Sequence, residues 1–337
     1  MKSFHMSLGA GLSGLELQHH DVPEPGSREV LLRVHATSLN YRELSILVRG
    51  RYPLPVKPGV VALCDGAGEV VALGPGVTRV KRGERVMASI FPRWMDGPFS
   101  LEVAAQLGGS LDGMLAEYVV LSEDALVPVP THLSYEEAAA VPCASVTAWN
   151  ALTGAQPLMP GDDVLTLGSG NVSLFALLLA KVSGARVIAT TSSDEKAARL
   201  RALGADHVVN YLKNPRWAEE VRDLTGGKGV QRVVEVGGGS LEQSLRAVAM
   251  SGEIGIVGSL AGGSSTIDAS ALFATGACLR VIVAGSRAHL VRVARAMALH
   301  EVRPVLARVF ELDDAPAAFA WYFEGHGFGK TVIRVAS

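Results

Sequence analysis

The chain has 337 residues, of which 48% are hydrophobic, and its formal net charge is -2. This length predicts two domains with a substantial core, and the small net charge argues against binding to nucleic acid or to a membrane surface. The three cysteines, Cys64, Cys143 and Cys278, are odd in number and far apart, which indicates reduced thiols in a cytoplasmic protein. The first residues lack the apolar core of a signal peptide, and the longest apolar run, residues 172–180, is too short to cross a bilayer.

Residues 1 to about 125 are predicted to form a small, barrel-like, β-rich domain. Short apolar runs alternate there with turns that contain glycine and proline. Predicted strands cover residues 15–20, 29–36, 68–73, 85–88 and 116–121, and residues 41–49 have helical character. A long insert, residues 91–109, carries Trp94, Met95 and Phe99, which either line an apolar pocket or cover one end of the barrel.

After a helix-rich segment at residues 136–152, strands and helices alternate. Six strands are predicted, at residues 164–167, 186–190, 207–210, 230–236, 253–257 and 279–284. Such alternation is typical of an α/β fold with a doubly wound parallel sheet. A helix at residues 288–299 is followed by β-like segments at 304–312 and 330–335. We therefore predict a β-rich domain of residues 1–130 and 288–337, and a dinucleotide-binding domain of residues 131–287.

The turn between the first strand of this sheet and its helix predicts a dinucleotide site. Gly168, Gly170, Asn171 and Val172 connect a buried strand to an apolar helix. Unpaired N–H groups and the helix dipole favour an anion at such a helix N-terminus, which is where a dinucleotide places its pyrophosphate. Ser173 stands where the usual motif has a third glycine, so the strand before the turn and the strand after the helix support the prediction.

The end of the second strand favours NADP(H) over NAD(H). An NAD site usually has an acidic residue there, whereas this chain has Thr191, Ser192 and Ser193, with Lys196 in the next helix. Hydroxyls and a lysine suit the 2′-phosphate. Glu195 is interpreted as part of a capping box with Ser192.

Several motifs together resemble the medium-chain dehydrogenase/reductase superfamily over nearly the whole chain. They are SLNYRE (38–43), CDGAGEV (64–70), GPGV (74–77), GERV (83–86), GMLAEY (113–118), the segment 143–149 and LGAD (203–206). The resemblance implies a GroES-like catalytic domain and a Rossmann domain. Within the superfamily the chain resembles the zinc-independent quinone-oxidoreductase-like branch and a bacterial subgroup labelled alcohol dehydrogenase.

The resemblance also implies that no metal is bound. Catalytic zinc in relatives takes Cys, His and Cys, and this chain has Asn40, Cys64 and Cys143 at those positions. The segment in which relatives carry a four-cysteine structural zinc site, residues 92–113, contains no cysteine. Both thiols are interpreted as small buried apolar groups, because a catalytic zinc needs three good ligands and an open position.

Without a metal, the resemblance implies hydride transfer by the cofactor, with Asn40 and Tyr41 as donors to an enolate or quinol oxygen. The alternative is that Asn40 caps a helix and Tyr41 packs. Further cofactor contacts implied by the resemblance are Thr147, Tyr211, Gly237, Gly258, Ser259, Leu260 and Lys330, the last at the pyrophosphate. His19 and His20 are interpreted as surface residues without a ligand role.

The leading hypothesis is an NADPH-dependent, zinc-independent reductase of an enone, a quinone or a related carbonyl. One alternative is an alcohol or ketone dehydrogenase with a metal on Cys64 and Cys143. Another is a cofactor-binding protein with little catalysis. A homodimer is expected, because residues 279–284 form an apolar strand where relatives pair their sheets edge to edge.

Overall fold

The structure is a computed structural model that describes residues 1–154, 156–258, 267–325 and 327–336. It divides into two compact units, of which one comprises Met1–Val146 and Gly285–Ser337 and the other Thr147–Ala284. We call the first the β-rich unit and the second the α/β unit. None of the helices in the described part of the chain combines the length and the apolar character that crossing a membrane requires.

The first part of the β-rich unit, residues 1–146, consists mainly of short antiparallel strands. These strands are β1 (Lys2–Met6), β2 (Glu16–His19), β3 (Glu29–Ser38), β4 (Val60–Val61), β5 (Asp65–Leu73), β6 (Arg85–Ala88), β7 (Tyr118–Ser122) and β8 (Leu126–Pro128). Helix α1 (Tyr41–Glu43) continues into a π-helical turn at Leu44–Val48, and α2 (Tyr135–Ala139) follows the strands.

The α/β unit contains six parallel strands among its described residues, as the alternating pattern predicted. They are β9 (Asp163–Thr166), β10 (Arg186–Thr191), β11 (His207–Asn210), β12 (Val230–Glu235), β13 (Val248–Ile256) and β14 (Cys278–Val281), in the order β11-β10-β9-β12-β13-β14. The helices are α3 (Pro142–Leu152), which begins in the β-rich unit, α4 (Asn171–Val182), α5 (Asp194–Ala202), α6 (Trp217–Leu224), α7 (Leu241–Ala247) and α8 (Ala269–Thr275). This strand order is that of a doubly wound sheet, so the predicted fold class is confirmed.

The chain then returns to the β-rich unit through α9 (Arg287–Leu299), β15 (Leu306–Glu311), α10 (Ala315–Phe323) and β16 (Lys330–Arg334). The larger sheet has the order β15-β16-β3-β5-β6-β8, with β7 paired to β3, and the smaller sheet has the order β2-β1-β4. In the larger sheet Ser38 of β3 pairs with both Asp65 of β5 and Val332 of β16. The end of β3 and the beginnings of β5 and β16 are therefore brought together.

The first boundary between the units lies at residue 146, later than the predicted residue 130. The reason is that α2 and the residues after it are held to the β-rich unit. Ser38 Oγ donates to the Ala139 carbonyl at 2.8 Å, and Arg334 Nε donates to Glu136 Oε1 at 2.9 Å. These contacts join residues that are far apart in the sequence, so the composition of residues 131–146 does not reveal them.

Candidate active site

The turn between β9 and α4 has the geometry of an anion-binding loop. Gly168 has φ +74° and its N–H donates to Thr190 Oγ1 at 3.1 Å, while Gly170 is the N-cap of the twelve-residue helix α4. A Cβ added at either glycine would meet no atom within 4 Å. The turn therefore presents open space beside the first N–H groups of α4, where the predicted residues Asn171 and Val172 also lie.

Ser173 explains how the turn works without a third glycine. The side chain is buried, and its Oγ donates to the Leu167 carbonyl at 2.6 Å. This hydrogen bond satisfies a carbonyl at the end of the strand and keeps α4 close to β9. A serine thus supplies the close helix-to-strand contact that glycine supplies in the usual motif.

The end of β10 offers fewer ligand groups than the sequence predicted. Thr191 is buried, and its Oγ1 has no hydrogen-bond partner among the described residues, so this hydroxyl points away from solvent. Ser193, rather than Ser192, caps α5, because its Oγ accepts the Lys196 N–H at 3.2 Å. The predicted capping box of Ser192 and Glu195 is therefore wrong by one residue. Ser192, Ser193 and Lys196 remain partly exposed beside one another.

The acidic residue after this strand is engaged elsewhere. Asp194 accepts hydrogen bonds from Lys213 Nζ at 2.6 Å and from Asn210 Nδ2 at 3.0 Å. The hydrogen bond from Lys213 is the main cause that holds the pKa of Asp194 below its ordinary value. This carboxylate is thus tied to Asn210, the last residue of β11, and to Lys213 beyond it.

The other predicted cofactor residues belong to the α/β unit. Tyr211 directly follows β11, is partly exposed and donates its N–H to the Thr191 carbonyl. Thr147 is buried in α3, and Gly237 and Gly258 follow the ends of β12 and β13. Ser259 and Leu260 lie outside the described residues.

Glu235, at the end of β12, is a residue that the sequence interpretation missed. It is fully buried, and its Oε1 accepts from the N–H groups of Gly237 and Gly238, each at 3.0 Å, and from Ser240 Oγ. Ser244 Oγ donates to Oε2 at 2.6 Å. The carboxylate holds the glycine loop at the carboxyl end of the sheet. The sequence feature that could have identified Glu235 is an acidic residue at the end of a buried strand, shortly before three consecutive glycines.

A second polar cluster lies in the β-rich unit, centred on the buried carboxylate of Asp65. Its Oδ2 accepts from Lys330 Nζ and from Asn40 Nδ2, each at 2.9 Å. Ser38 Oγ, which donates its one proton to the Ala139 carbonyl, lies 3.2 Å from the same oxygen. Its Oδ1 accepts from the Cys143 N–H at 2.8 Å and from the Cys64 thiol at 3.9 Å. These donors use the acceptor capacity of the carboxylate in full.

Lys330 is placed differently from the prediction. Its side chain is 1% exposed, and Nζ donates to the Leu39 carbonyl, to Asn40 Oδ1 and to Asp65 Oδ2 at 2.8–2.9 Å. An ammonium group has three donors, and all three are used here. The predicted pyrophosphate contact is therefore wrong, because the register of β16 beside β3 directs this lysine into the Asp65 cluster.

Asn40 also has a different role from the predicted one. Its Oδ1 accepts from Lys330, while Nδ2 donates to Asp65 and contacts Cys64 Sγ at 3.6 Å. The side-chain amide is thus committed to the cluster and has no donor left for a substrate oxygen. Tyr41, which begins α1, is partly exposed and lies under the Arg49 guanidinium at 5.1 Å. Of the two predicted donors, Tyr41 is the one whose side chain is partly exposed.

Arg42 and Glu43 form a local ion pair, with Nη1 and Oε1 3.2 Å apart. Arg42 also donates to Gln106 Oε1 and to the carbonyls of Leu107 and Gly108, so it fastens α1 to the end of the 91–109 insert. In that insert the Trp94 ring is buried against Phe91, Phe99 and His289. Packing of this kind favours the interpretation that the insert covers one end of the barrel, rather than the alternative that its aromatic residues line an apolar pocket.

The two thiols and the carboxylate of this cluster are the groups that could bind a metal ion. Ligand atoms of Cys64, Asp65 and Cys143 lie within 4.8 Å of one another. Burial, assisted by the hydrogen bond with Cys143 and the charge of Asp65, raises the pKa of the Cys64 thiol well above its ordinary value. A metal needs the thiolate and a carboxylate with free lone pairs. This donor set does not fit a catalytic zinc, since the carboxylate is saturated and already paired with an ammonium.

Comparisons with known proteins agree with this architecture. The alcohol dehydrogenase GroES-like domain matches residues 26–131, and the zinc-binding dehydrogenase family matches residues 172–299. A zinc-type alcohol dehydrogenase-like protein of Schizosaccharomyces pombe is 37% identical over 337 residues, which cover 97% of this chain and 96% of that protein. A quinone oxidoreductase of Pseudomonas aeruginosa is 34% identical and covers 77% of this chain and 74% of its own. The crystal structure of an NAD-dependent alcohol dehydrogenase matches 100% of both chains at a TM-score of 0.90 and 36% identity.

The fold, the glycine turn and these matches define an oxidoreductase that uses a nicotinamide cofactor. The chain belongs to the medium-chain dehydrogenase/reductase superfamily, as its motifs indicated.

Proposed function

We propose that this chain is an NADPH-dependent, zinc-independent reductase that transfers hydride to an enone, a quinone or a related carbonyl compound. The observation that carries the proposal is the ion pair of Asp65 and Lys330. In this pair the buried ammonium of Lys330 lies against the Asp65 carboxylate. Without that ammonium, the carboxylate and the thiols of Cys64 and Cys143 could together bind a cation. A positive charge at this position opposes a second one, so substrate activation by a Lewis acid is disfavoured.

The cofactor is proposed to bind the α/β unit through its diphosphate at Gly168, Gly170, Asn171 and Val172. The open space beside the two glycines and the N-terminus of α4 support this assignment. Ser192, Ser193 and Lys196 are proposed to hold a 2′-phosphate. Thr147, Tyr211, Gly237 and Gly258 remain proposed contacts, and Glu235 would hold the loop at Gly237 in place.

A bound nicotinamide supplies the hydride, so the chain itself has to hold the dinucleotide and stabilise the charge left on the substrate oxygen. Tyr41 is the proposed hydrogen-bond donor to that oxygen. Asn40 acts as a positioning residue, because its amide connects Lys330 and Asp65 directly before α1. Arg42 and its contacts with Gln106 keep α1 fixed.

The reaction is tested with purified chain, NADPH and three matched substrates: a cyclic enone, its saturated ketone and a quinone. The proposal expects oxidation of NADPH with the enone or the quinone, and the saturated carbonyl compound as the product of the enone. Turnover of the saturated ketone alone would favour an alcohol or ketone dehydrogenase. NADPH binding without turnover would favour a cofactor-binding protein.

Replacement of Lys196 with alanine tests the cofactor preference. A charge-assisted contact contributes about 1.5 kcal/mol or more, so we expect the Kd for NADPH to rise about tenfold while the Kd for NADH stays unchanged. Fluorescence titration measures both constants. Lys213→Ala is the matched control, because Lys213 is a nearby exposed lysine paired with Asp194. An equal loss for both nucleotides would refute a role of Lys196 at a 2′-phosphate.

We also propose that two copies pair through β14. This strand is the edge of the parallel sheet, and it lies near large exposed apolar side chains: Val281 is 71% exposed, Met250 77% and Phe273 92%. An unpaired apolar edge of this kind favours antiparallel pairing across a two-fold axis. A cytoplasmic location is proposed from the three cysteines, none of which forms a disulfide.

Val281→Lys is expected to convert this dimer into a monomer, because it places a charge on the edge strand that pairs. Light scattering coupled to gel filtration measures the mass. Leu299→Lys, which changes an exposed apolar residue of α9, serves as the control and should remain dimeric. A monomeric parent chain, or a dimer that survives Val281→Lys, would contradict pairing through β14.

A further inference from the structure

Two histidines face each other at the end of the small sheet in the β-rich unit. His5 lies in β1, and His20 directly follows β2, which pairs antiparallel with β1. The His20 N–H donates to the Met1 carbonyl at 3.0 Å, which continues the ladder by one residue. Their Nε2 atoms are 3.1 Å apart. Successive side chains of a strand point to opposite faces, so the side chain of His19 points away from this pair.

The hydrogen bond on the far side of His5 fixes which of its nitrogens carries the proton. Nδ1 lies 2.7 Å from the Gly59 carbonyl, which can only accept a hydrogen bond. Nδ1 is therefore protonated, and in the neutral ring Nε2 presents its lone pair towards His20. Metal-binding histidines have this arrangement, in which one nitrogen donates to a backbone carbonyl and the other is the ligand.

The space around the pair suits a cation. The two rings line a cavity of about 340 Å³, which is also lined by Ser3, Asp21 and Asp112. Ser3 Oγ, which lies 2.9 Å from His5 Nε2, donates to this nitrogen, and a bound ion would replace that hydrogen bond. Two imidazole nitrogens at about 2.0–2.1 Å from a tetrahedral zinc ion lie about 3.3 Å apart, close to the separation found here. The terminal ammonium of Met1 also lines the cavity, but it donates to the His20 carbonyl.

We propose that His5 and His20 form a surface site for a divalent transition-metal ion of the zinc, nickel and copper class. Imidazole nitrogen suits these ions, and water completes the coordination. The site has no sulfur ligand and shares no residue with the Asp65 cluster. A bound ion would tie β1 to β2. This revises the interpretation of His20 as a surface residue without a ligand role.

The test is a titration of the untagged full chain with Co²⁺ at a pH of about 8, where ordinary imidazoles are neutral. We expect one ion per chain, a visible d–d spectrum without thiolate charge-transfer absorption, and displacement by Zn²⁺. His5→Gln and His20→Gln should each weaken binding at least about tenfold, whereas His19→Gln and Cys143→Ser should bind like the parent chain.

Circular dichroism of the metal-free variants checks that they are folded; because His20 is exposed, its variant should keep the parent's thermal midpoint. Absence of Co²⁺ binding would overturn the proposal. So would unchanged binding in His20→Gln, or a thiolate charge-transfer band that disappears in Cys143→Ser, because either result places the ion elsewhere.

Discussion

Replacement of Lys330 with methionine is expected to destabilise the β-rich unit by about 3–5 kcal/mol, because it leaves the buried Asp65 carboxylate without its cation. Asp65 would keep its hydrogen bonds from Asn40 and from the Cys143 N–H, but it would carry an uncompensated charge in a fully buried position. Urea denaturation followed by circular dichroism measures the loss, and the thermal midpoint should fall with it.

Two further variants make this result specific. The double variant Asp65→Asn with Lys330→Met removes both charges and should recover a substantial part of the lost stability. Lys2→Met removes a cation from the exposed pair with Asp313 and should leave the free energy of unfolding nearly unchanged. If Lys330→Met lowers the free energy of unfolding no more than Lys2→Met does, the ion pair of Asp65 and Lys330 does not stabilise this cluster.

Gly170→Val is expected to weaken binding of NADPH and of NADH by about 100-fold, or about 2.8 kcal/mol, without unfolding the protein. Gly170 has φ -78° and ψ 173°, a conformation that any residue adopts, and a Cβ there meets no atom of the chain. The added methyl groups would fill the space assigned to the diphosphate. Calorimetric titration with both nucleotides measures the change.

Gly170→Ala is the graded control for this experiment. Its smaller side chain should weaken binding less than valine does, and both variants should keep the thermal midpoint of the parent chain. Unimpaired binding in Gly170→Val would contradict the placement of the diphosphate at this turn. Loss of NADPH binding alone would instead locate the substitution near the 2′-phosphate.

The α/β unit could be predicted well from the sequence, because each local signal there agrees with the final environment. The strand at His207–Asn210 was predicted to the residue, and the others to within a few residues. Short apolar runs between glycines are buried on both faces of the sheet, so their composition alone identifies them. Ser193 capping α5 differs from the prediction only because two adjacent serines offer equivalent caps.

The β-rich unit was less predictable. Strand β4 has two residues, Val60–Val61, and exists because it pairs with β1, while β1 itself depends on both neighbours. Helix α10, Ala315–Phe323, is mostly apolar, and it lacks the polar face by which a surface helix is identified. In both cases the determining contacts join distant parts of the chain.

The candidate site likewise contains residues that could be predicted from the sequence and residues that could not. The glycine turn is a contiguous motif, so its residues follow from the sequence. The Asp65 cluster joins Asp65 to Lys330 across 265 positions, and no spacing rule connects them. A lysine at the beginning of a strand is ordinarily solvated; only the antiparallel register of β16 with β3 buries this one. The roles of Asn40 and Lys330 therefore required the structure.

We propose that this nicotinamide-dependent oxidoreductase works without a metal beside its reactive residues. The most direct measurement is the rate of NADPH-dependent reduction per chain, plotted against zinc content, for chelator-treated and zinc-supplemented preparations of the His20→Gln variant. In this variant the proposed histidine site no longer binds zinc, so the zinc content of the chain reports only other sites. We expect a rate that does not depend on zinc content. A rate that rises in proportion to zinc, up to one ion per chain, would contradict it.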